Sequence, residues 1–213
     1  MKAMILAAGR GERLKPRTDT TPKPLLRVRG RPLLEHQIGW LRAAGITELV
    51  INLHHLGDQI ESHFGDGSAF GVTIQYSREP VLLETGGGIV NALPLLGEAP
   101  FALLNGDIFT DFPFSGLGEP PEWADIHLVV TPRPGYRTQG DFLVSDGRVT
   151  ARGDTFVYCG IAVLRPQIFS GDKAAPFSLR NHFFRAIEAE RISAEIWTGE
   201  WTDIGSEAQL QAV

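Results

Sequence analysis

Cysteine is nearly absent from the chain, and long apolar runs are absent altogether. Cys159 is the only cysteine, so no internal disulfide can form, and we expect a protein of the reducing cytoplasm. The amino-terminal segment MKAMILAAG lacks a charged stretch followed by a long apolar run and a cleavage site, so we expect no secretory signal peptide. No apolar run approaches the roughly 20 residues that a membrane-spanning helix requires, so we expect no membrane association.

A basic excess is missing as well. The 213 residues include 20 Lys and Arg against 25 Asp and Glu, which gives a net charge of -5. Domains that bind nucleic acid usually carry a basic stripe, so we expect no nucleic-acid partner, and any cationic site must be local. The length and an apolar fraction of 43% suit a single globular domain over residues 1–213.

Strands and helices alternate in the first half of the chain. The pattern predicts buried strands at 2–6, 49–53, 72–76 and 101–104, with helices at 32–44, 58–64 and 85–96. This order is typical of an α/β fold with a mostly parallel central sheet flanked by helices. After Asp111, strands at 126–130, 142–144, 148–151 and 156–164 are separated only by turns, which predicts a smaller mixed or antiparallel β extension. A helix at 179–190, a strand at 194–197 and a helix from 206 complete the prediction.

A glycine-rich loop with two cations follows the first strand. In LAAGRGERLKPRTDTTPKPLL, Gly9 and Gly11 allow backbone N–H groups to approach phosphate oxygens. Position 14 is Leu where a dinucleotide-binding fold needs glycine, and the Gly-Lys-Ser/Thr of a P-loop is absent. The fork of Arg13 can hold β- and γ-phosphate oxygens, and Lys23, fixed between two prolines, can place its charge on the α-phosphate. Solvated surface cations beside ordinary turns are the alternative.

The pattern G-x-G-x-R-L-x-P-x-T followed by P-K-P-L-L, within residues 5–26, resembles the signature of the sugar-1-phosphate nucleotidyltransferases. These enzymes join a sugar 1-phosphate to a nucleoside triphosphate. The resemblance implies a Rossmann-like α/β domain, with residues 1–111 as the nucleotide-binding half and 112–213 as the sugar-binding half that also supplies a second metal ligand. It implies catalytic roles for Arg13 and Lys23, and nucleotide contacts from Leu6, Ala7, Ala8, Gly9, Gly11, Arg13 and Lys23.

Two aspartates match the family's metal-binding segments. Asp107 ends the predicted strand in LLNGD, where an α/β sheet presents its ligands, and a carboxylate is a hard ligand suited to Mg²⁺. Asp203 lies far away in WTDIG. A turn or helix-cap role is the alternative for an isolated Asp. The resemblance implies that Asp107 and Asp203 hold Mg²⁺ together.

Two further segments correspond to the base and sugar pockets of the family. Glu84, Thr85, Gly86 and Gly87 open a helix, where free backbone groups can lie against a nucleobase; a flexible helix-entry turn is the alternative. The resemblance implies sugar contacts from Asn105, Gly140, Asp141, Tyr158 and Gly160. Asp141 is equally consistent with a turn residue, and Cys159 with a small core residue.

The segments LLETGGGI, LLNGDI, GDF and YCGIAVL most resemble those of N-acetylmuramate α-1-phosphate uridylyltransferases of bacterial cell-wall recycling. Because the chain ends soon after WTDIG, we expect no appended β-helix and a monomer or weak homodimer. A mannose-1-phosphate guanylyltransferase, another aldose-1-phosphate enzyme and a non-catalytic nucleotide-sensing module stay open as alternatives. Many relatives carry Glu-Lys-Pro where Gly153-Asp154-Thr155 stands, so the cation that contacts the sugar phosphate is not identified.

Overall fold

A computed structural model describes all residues from Met1 to Val213. The strands are β1 (Ala3–Leu6), β2 (Arg27–Val28), β3 (Arg31–Pro32), β4 (Glu48–Leu53), β5 (Thr73–Arg78), β6 (Phe101–Asn105), β7 (Ile108–Thr110), β8 (Ile126–Pro132), β9 (Phe142–Ser145), β10 (Arg148–Arg152), β11 (Phe156–Leu164), β12 (Ile192–Ile196) and β13 (Trp201–Asp203). The helices are α1 (Arg17–Thr20), α2 (Leu33–Ala43), α3 (Gly57–Phe64), α4 (Glu84–Leu96), α5 (Arg180–Glu188) and α6 (Glu207–Gln211). None of them is long and apolar enough to cross a membrane.

One large sheet runs through the molecule. Its nine strands follow the order β5-β4-β1-β6-β11-β8-β12-β10-β9. The first four are parallel, and β11 joins them antiparallel to β6. The α/β prediction is therefore confirmed. The predicted β extension is continuous with the parallel part, because β11 pairs with β6 along one edge and with β8 along the other.

Helices cover both faces of this sheet. Along β1, Ile5 belongs to the apolar cluster that includes residues of α2 and α3, whereas its neighbour Met4 belongs to the cluster that includes residues of α4 and α5. Successive strand side chains point to opposite faces, so a strand covered on both sides must be apolar throughout. This burial explains the continuous apolar runs from which the strands were predicted.

Two small sheets were not predicted. β2 pairs with β3, and β7 pairs antiparallel with β13, so that Asp203 lies opposite Ile108. Strands of two or three residues are too short to show a period of two. The β7–β13 pairing brings the end of the chain to the segment that follows β6.

The turn between β6 and β7 is packed too closely for any side chain at Gly106. The Gly106 N–H donates to the carbonyl oxygen of Leu6 at 2.9 Å, and a Cβ at position 106 would lie 2.3 Å from that oxygen. From α2, the buried side chain of Gln37 donates to the carbonyl oxygens of Asn105 and Ile108 at 3.0 and 3.1 Å. The segment that carries Asp107 is thus held from both sides.

Replacing Gly106 with Ala should lower the free energy of unfolding by about 1–3 kcal/mol, because the added methyl group overpacks a backbone contact. Urea denaturation measures this change. Gly39→Ala in α2 is the matched control: its Cβ would meet nothing within 4 Å, so the variant should be as stable as wild type or slightly more stable. Equal stability of Gly106→Ala and wild type would contradict the close contact.

Candidate active site

Two adjoining pockets contain most of the predicted site residues. The first, of about 190 Å³, is lined by Leu6, Ala7, Gly9, Gly11, Lys23, Pro24, Thr85, Asn105, Gly106 and Asp107. The second, of about 250 Å³, is lined by Thr85, Asn105, Arg137, Asp141, Phe142, Tyr158, Ser178, Leu179, Arg180 and Phe183. Thr85 and Asn105 lie in both, so the predicted nucleotide residues and sugar residues meet there. We call the first the phosphate pocket and the second the sugar cleft.

A buried chain of hydrogen bonds holds the loop after β1. The Ala7 N–H donates to Asn52 Oδ1 at 2.7 Å, and Asn52 Nδ2 donates to Glu79 Oε1 at 2.7 Å. The other carboxylate oxygen of Glu79 accepts from the Leu83 N–H at 2.9 Å. A Cβ at Gly88 would lie 2.6 Å from Glu79 Oε1, which explains the third glycine of the GGG segment. Loop and helix α4 are thereby fixed relative to each other.

Sequence reasoning missed Asn52 and Glu79. Both are buried, with 2% and 4% of their surface exposed. A signal was present, since an Asn inside the apolar run ELVINL must satisfy its amide group within the core. Its partner could not be found, because Glu79 lies in a connection after β5 with no pattern of its own.

A hydrogen bond within the glycine-rich loop is made at Gly11. This residue has a φ of +63°, a left-handed conformation that favours glycine, and its carbonyl oxygen accepts from the buried Thr18 hydroxyl at 2.9 Å. Arg13 is exposed and is not among the residues that line the phosphate pocket. A Cβ at Gly205 would lie 2.5 Å from Arg13 Nη2, so the guanidinium rests directly on the WTDIG segment. The triphosphate role of Arg13 stays a prediction.

Lys23 and Asp107 pair in the lining of the phosphate pocket, and backbone contacts bring the segment that carries Asp203 next to Asp107. Lys23 Nζ lies 2.8 Å from Asp107 Oδ2, with only 13% of the lysine side chain exposed. Through β13, the chain end is joined to this point: the Ile204 N–H donates to the Asp107 carbonyl oxygen at 2.7 Å. The Asp203 carboxylate accepts from Arg137 and, at 3.0 Å, from Gln209 Nε2. Each predicted metal ligand is therefore paired with one cation.

These two carboxylates fit a magnesium ion by the chemistry of their donors. The structure holds no group of three or more His, Cys, Asp or Glu side chains arranged around a common point. Mg²⁺ commonly binds one or two protein carboxylates and completes its octahedron with water and phosphate oxygens. Asp107 lines the phosphate pocket, so an ion held there would also face a bound phosphate.

The start of helix α4 differs from the expectation. The N–H groups of Gly86 and Gly87 donate to the Phe177 carbonyl oxygen at 2.9 and 3.4 Å, so the prediction that they are free is wrong. A Cβ at Gly87 would lie 2.0 Å from the Ala175 carbonyl oxygen. These glycines make room for a covering segment, 175–177, which is distant in sequence. Their contact with a base stays a prediction.

Two exposed residues precede these glycines. Glu84 has a φ of +58°, an uncommon conformation for a residue with a side chain. Thr85 lies in both pockets, and its hydroxyl oxygen accepts from the Leu179 N–H at 2.9 Å. The nucleotide role of Glu84 and Thr85 stays a prediction.

Asp141 and Tyr158 lie next to each other in the lining of the sugar cleft. Asp141 Oδ2 accepts from the Tyr158 N–H at 3.1 Å, and Oδ1 lies 3.5 Å from Arg180 Nη2. The Tyr158 hydroxyl is buried without a hydrogen-bond partner, and this burial raises the pKa of Tyr158 above its ordinary value. Asp141 thus presents a carboxylate in a partly apolar cleft.

The two predicted sugar-site glycines serve different contacts. Gly160 has a φ of +75°, and a Cβ there would lie 2.9 Å from the Asn105 side chain, so the glycine lets Asn105 reach both pockets. Gly140 is absent from the cleft lining. A Cβ there would meet the Asp154 backbone at 2.6 Å, so Gly140 allows the close packing that positions its neighbour Asp141.

Two cations of the sugar cleft were also missed. Arg137 lies in the turn between β8 and β9, and Arg180 begins α5. Neither belongs to a recognisable motif, and only the fold brings them to the same cleft.

Replacing Asn52 with Ala should lower the free energy of unfolding by about 1–3 kcal/mol, because the Ala7 N–H and the Glu79 carboxylate lose a buried partner. Urea denaturation again provides the measurement. The matched control is Asn181→Ala on α5, where the side chain is exposed and the change should stay within about 0.5 kcal/mol. If both variants lose the same stability, the buried hydrogen-bond chain does not hold the loop.

Solved structures of low sequence identity share the fold. A protein of Bacillus anthracis assigned as a glucose-1-phosphate thymidylyltransferase superposes with a TM-score of 0.86 at 21% identity, covering 100% of this chain and 93% of that one. The inositol-1-phosphate CTP transferase of T. maritima gives a TM-score of 0.83 at 22% identity, covering 98% and 90%.

Sequence comparisons identify closer relatives. The chain is 45% identical to the N-acetylmuramate alpha-1-phosphate uridylyltransferase of Neisseria meningitidis, over 99% of this chain and 96% of that protein. Identity to the Caulobacter vibrioides enzyme of the same name is 35%, over 99% and 94%. Identity to the mannose-1-phosphate guanyltransferase of Aspergillus fumigatus is 31%, over 96% and 61%. The model of the nucleotidyl transferase family matches residues 2–119. The chain therefore belongs to the sugar-1-phosphate nucleotidyltransferase family.

Proposed function

We propose that the protein transfers a uridylyl group from UTP to N-acetylmuramate α-1-phosphate, with Mg²⁺ as its metal ion. The junction of the phosphate pocket and the sugar cleft at Thr85 and Asn105 carries the reaction type, because two substrates can meet there. The full-length similarity to the Neisseria and Caulobacter uridylyltransferases supports the choice of substrates. The proposal includes action in the cytoplasm as a monomer or weak homodimer, both expected from the sequence.

The reaction is an in-line displacement at the α-phosphorus of UTP. An oxygen of the sugar phosphate forms the new P–O bond, and the bond to the β-phosphate breaks, so the products are UDP-N-acetylmuramate and pyrophosphate. A phosphate dianion is already a competent nucleophile, so no general base is required, and positioning with charge neutralisation does most of the catalysis.

The residues of the two pockets divide this work. Lys23 places a positive charge on the triphosphate, while the backbone at Gly9 and Gly11 allows close approach of its oxygens. Asp141 accepts hydrogen bonds from sugar hydroxyls in the cleft. Asp107 and Asp203 would hold Mg²⁺, which when bound offsets the negative charge of the phosphates.

A substrate panel tests the proposal. Pyrophosphate release is measured with each of UTP, GTP, CTP and dTTP, combined with N-acetylmuramate, N-acetylglucosamine, glucose and mannose 1-phosphates. The highest kcat/KM should belong to UTP with N-acetylmuramate α-1-phosphate. A preference for GTP with mannose 1-phosphate would replace this assignment. Triphosphate binding without turnover for any pair would indicate a nucleotide-sensing protein.

Replacing Lys23 with Ala should lower kcat by roughly 100- to 1,000-fold and weaken UTP binding much less, because its charge matters most in the transition state. Steady-state kinetics and titration calorimetry separate the two effects. Lys15→Ala is the control, since Lys15 is 55% exposed beside Asp19, outside both pockets, and should leave the kinetics unchanged. A Lys23 effect confined to KM would refute this role.

A further inference from the structure

Arg137 connects the sugar cleft with the proposed metal site. It lines the cleft, yet its guanidinium is bonded to Asp203 Oδ2 and lies 5.6 Å from the ring centroid of Trp201. Its side chain is 30% exposed, so a ligand in the cleft can reach it. Arg137 is thus a cation of the sugar cleft that contacts a proposed metal ligand.

The pair formed by Arg137 and Asp203 repeats the arrangement of Lys23 and Asp107. In each pair a cation bonds one Oδ2 atom of a proposed metal ligand. A divalent cation that binds those oxygens competes with both side chains for the same negative charge. Lys23 lines the phosphate pocket and Arg137 the sugar cleft, so each cation displaced from its aspartate would face the phosphate of a different substrate.

We propose that Arg137 leaves Asp203 when a divalent cation binds that carboxylate, and that its guanidinium then binds the phosphate of the sugar 1-phosphate. This proposal rests on the proposed function. The guanidinium fork can form two parallel hydrogen bonds to a phosphate, as it can to a carboxylate, so the exchange replaces one charge-assisted contact with another of the same kind.

The backbone around Arg137 is held so that only the side chain needs to move. The Arg137 N–H donates to the Pro134 carbonyl oxygen at 2.9 Å, and Arg133 Nη1 donates to the Arg137 carbonyl oxygen at 2.7 Å. Arg133 also donates to the carbonyl oxygens of Asp154 and Thr155, at 3.0 and 2.9 Å. The Gly153-Asp154-Thr155 segment, which carries no cation, therefore supports the turn that provides one.

Arg180 is a matched control from the same cleft. It has the same charge, but its partner is Asp141 at 3.5 Å, and it makes no ion pair with Asp203. The variants Arg137→Gln and Arg180→Gln each remove one positive charge from the cleft, and only the first removes a competitor from Asp203.

Binding of Mn²⁺ to the full chain without any substrate tests the competition, measured by the EPR signal of free Mn²⁺. Arg137→Gln should bind Mn²⁺ about 2- to 10-fold more tightly than wild type, because Asp203 loses its cation partner. Arg180→Gln should bind as wild type does. Unchanged Mn²⁺ affinity in Arg137→Gln, or an equal gain in both variants, would overturn the exchange.

Steady-state kinetics at saturating UTP and Mg²⁺ test the phosphate contact. Arg137→Gln should raise KM for N-acetylmuramate α-1-phosphate by roughly 10- to 100-fold, while the Kd of UTP, measured separately by titration calorimetry, changes less than about twofold. An unchanged KM would refute the phosphate contact. Arg137→Lys keeps the positive charge but lacks the guanidinium fork, so its KM should lie between those of wild type and Arg137→Gln. If Arg137→Gln fails to fold, the KM of Arg137→Lys tests the contact instead.

Failure of the proposed function has a different signature. If the wild-type protein prefers another sugar 1-phosphate, the KM comparison is made with that substrate. It then tests the phosphate contact of Arg137 in the same way. The Mn²⁺ measurement involves no sugar and no nucleotide, so its result does not depend on which substrates the protein uses.

Discussion

The antiparallel pairing of β7 with β13 is the contact on which the site depends. It places Asp203 opposite Ile108, and the Ile204 N–H donates to the Asp107 carbonyl oxygen at 2.7 Å. The pairing is anchored to the main sheet by Trp201 Nε1, which donates to the Cys159 carbonyl oxygen at 2.8 Å. Without these short strands, the two proposed metal ligands would belong to separate parts of the molecule.

Charge balance explains how two carboxylates and two cations coexist at the partly buried site of the two proposed metal ligands. A carboxylate removed from water is costly unless it is paired, and Asp107 and Asp203 are each paired with a cation. The same cations, Lys23 and Arg137, suit the phosphates of the two proposed substrates. The two ion pairs are locally neutral in a chain with a net charge of -5, and a divalent cation bound by the aspartates would make the site attractive to anionic ligands.

The sequence predicted those parts of the fold and site that local patterns record. Apolar runs located the strands of the parallel sheet, and the resemblance drew attention to Lys23 and Asp107, which the structure brings together. What depends on distant contacts was not predicted. The pairing of β7 with β13 is too short for periodicity, the Asn52–Glu79 hydrogen bond joins unrelated segments, and the N–H groups of Gly86 and Gly87 are occupied by a residue far along the chain.

The most direct measurement is a crystal structure of the protein with Mn²⁺ and a non-hydrolysable UTP analogue, in which anomalous scattering locates the metal. We predict a Mn²⁺ ion that is coordinated by carboxylate oxygens of both Asp107 and Asp203 and by phosphate oxygens of the analogue. A Mn²⁺ ion bound by only one of the two aspartates, or located away from both, would contradict a shared metal site built by the β7–β13 pairing.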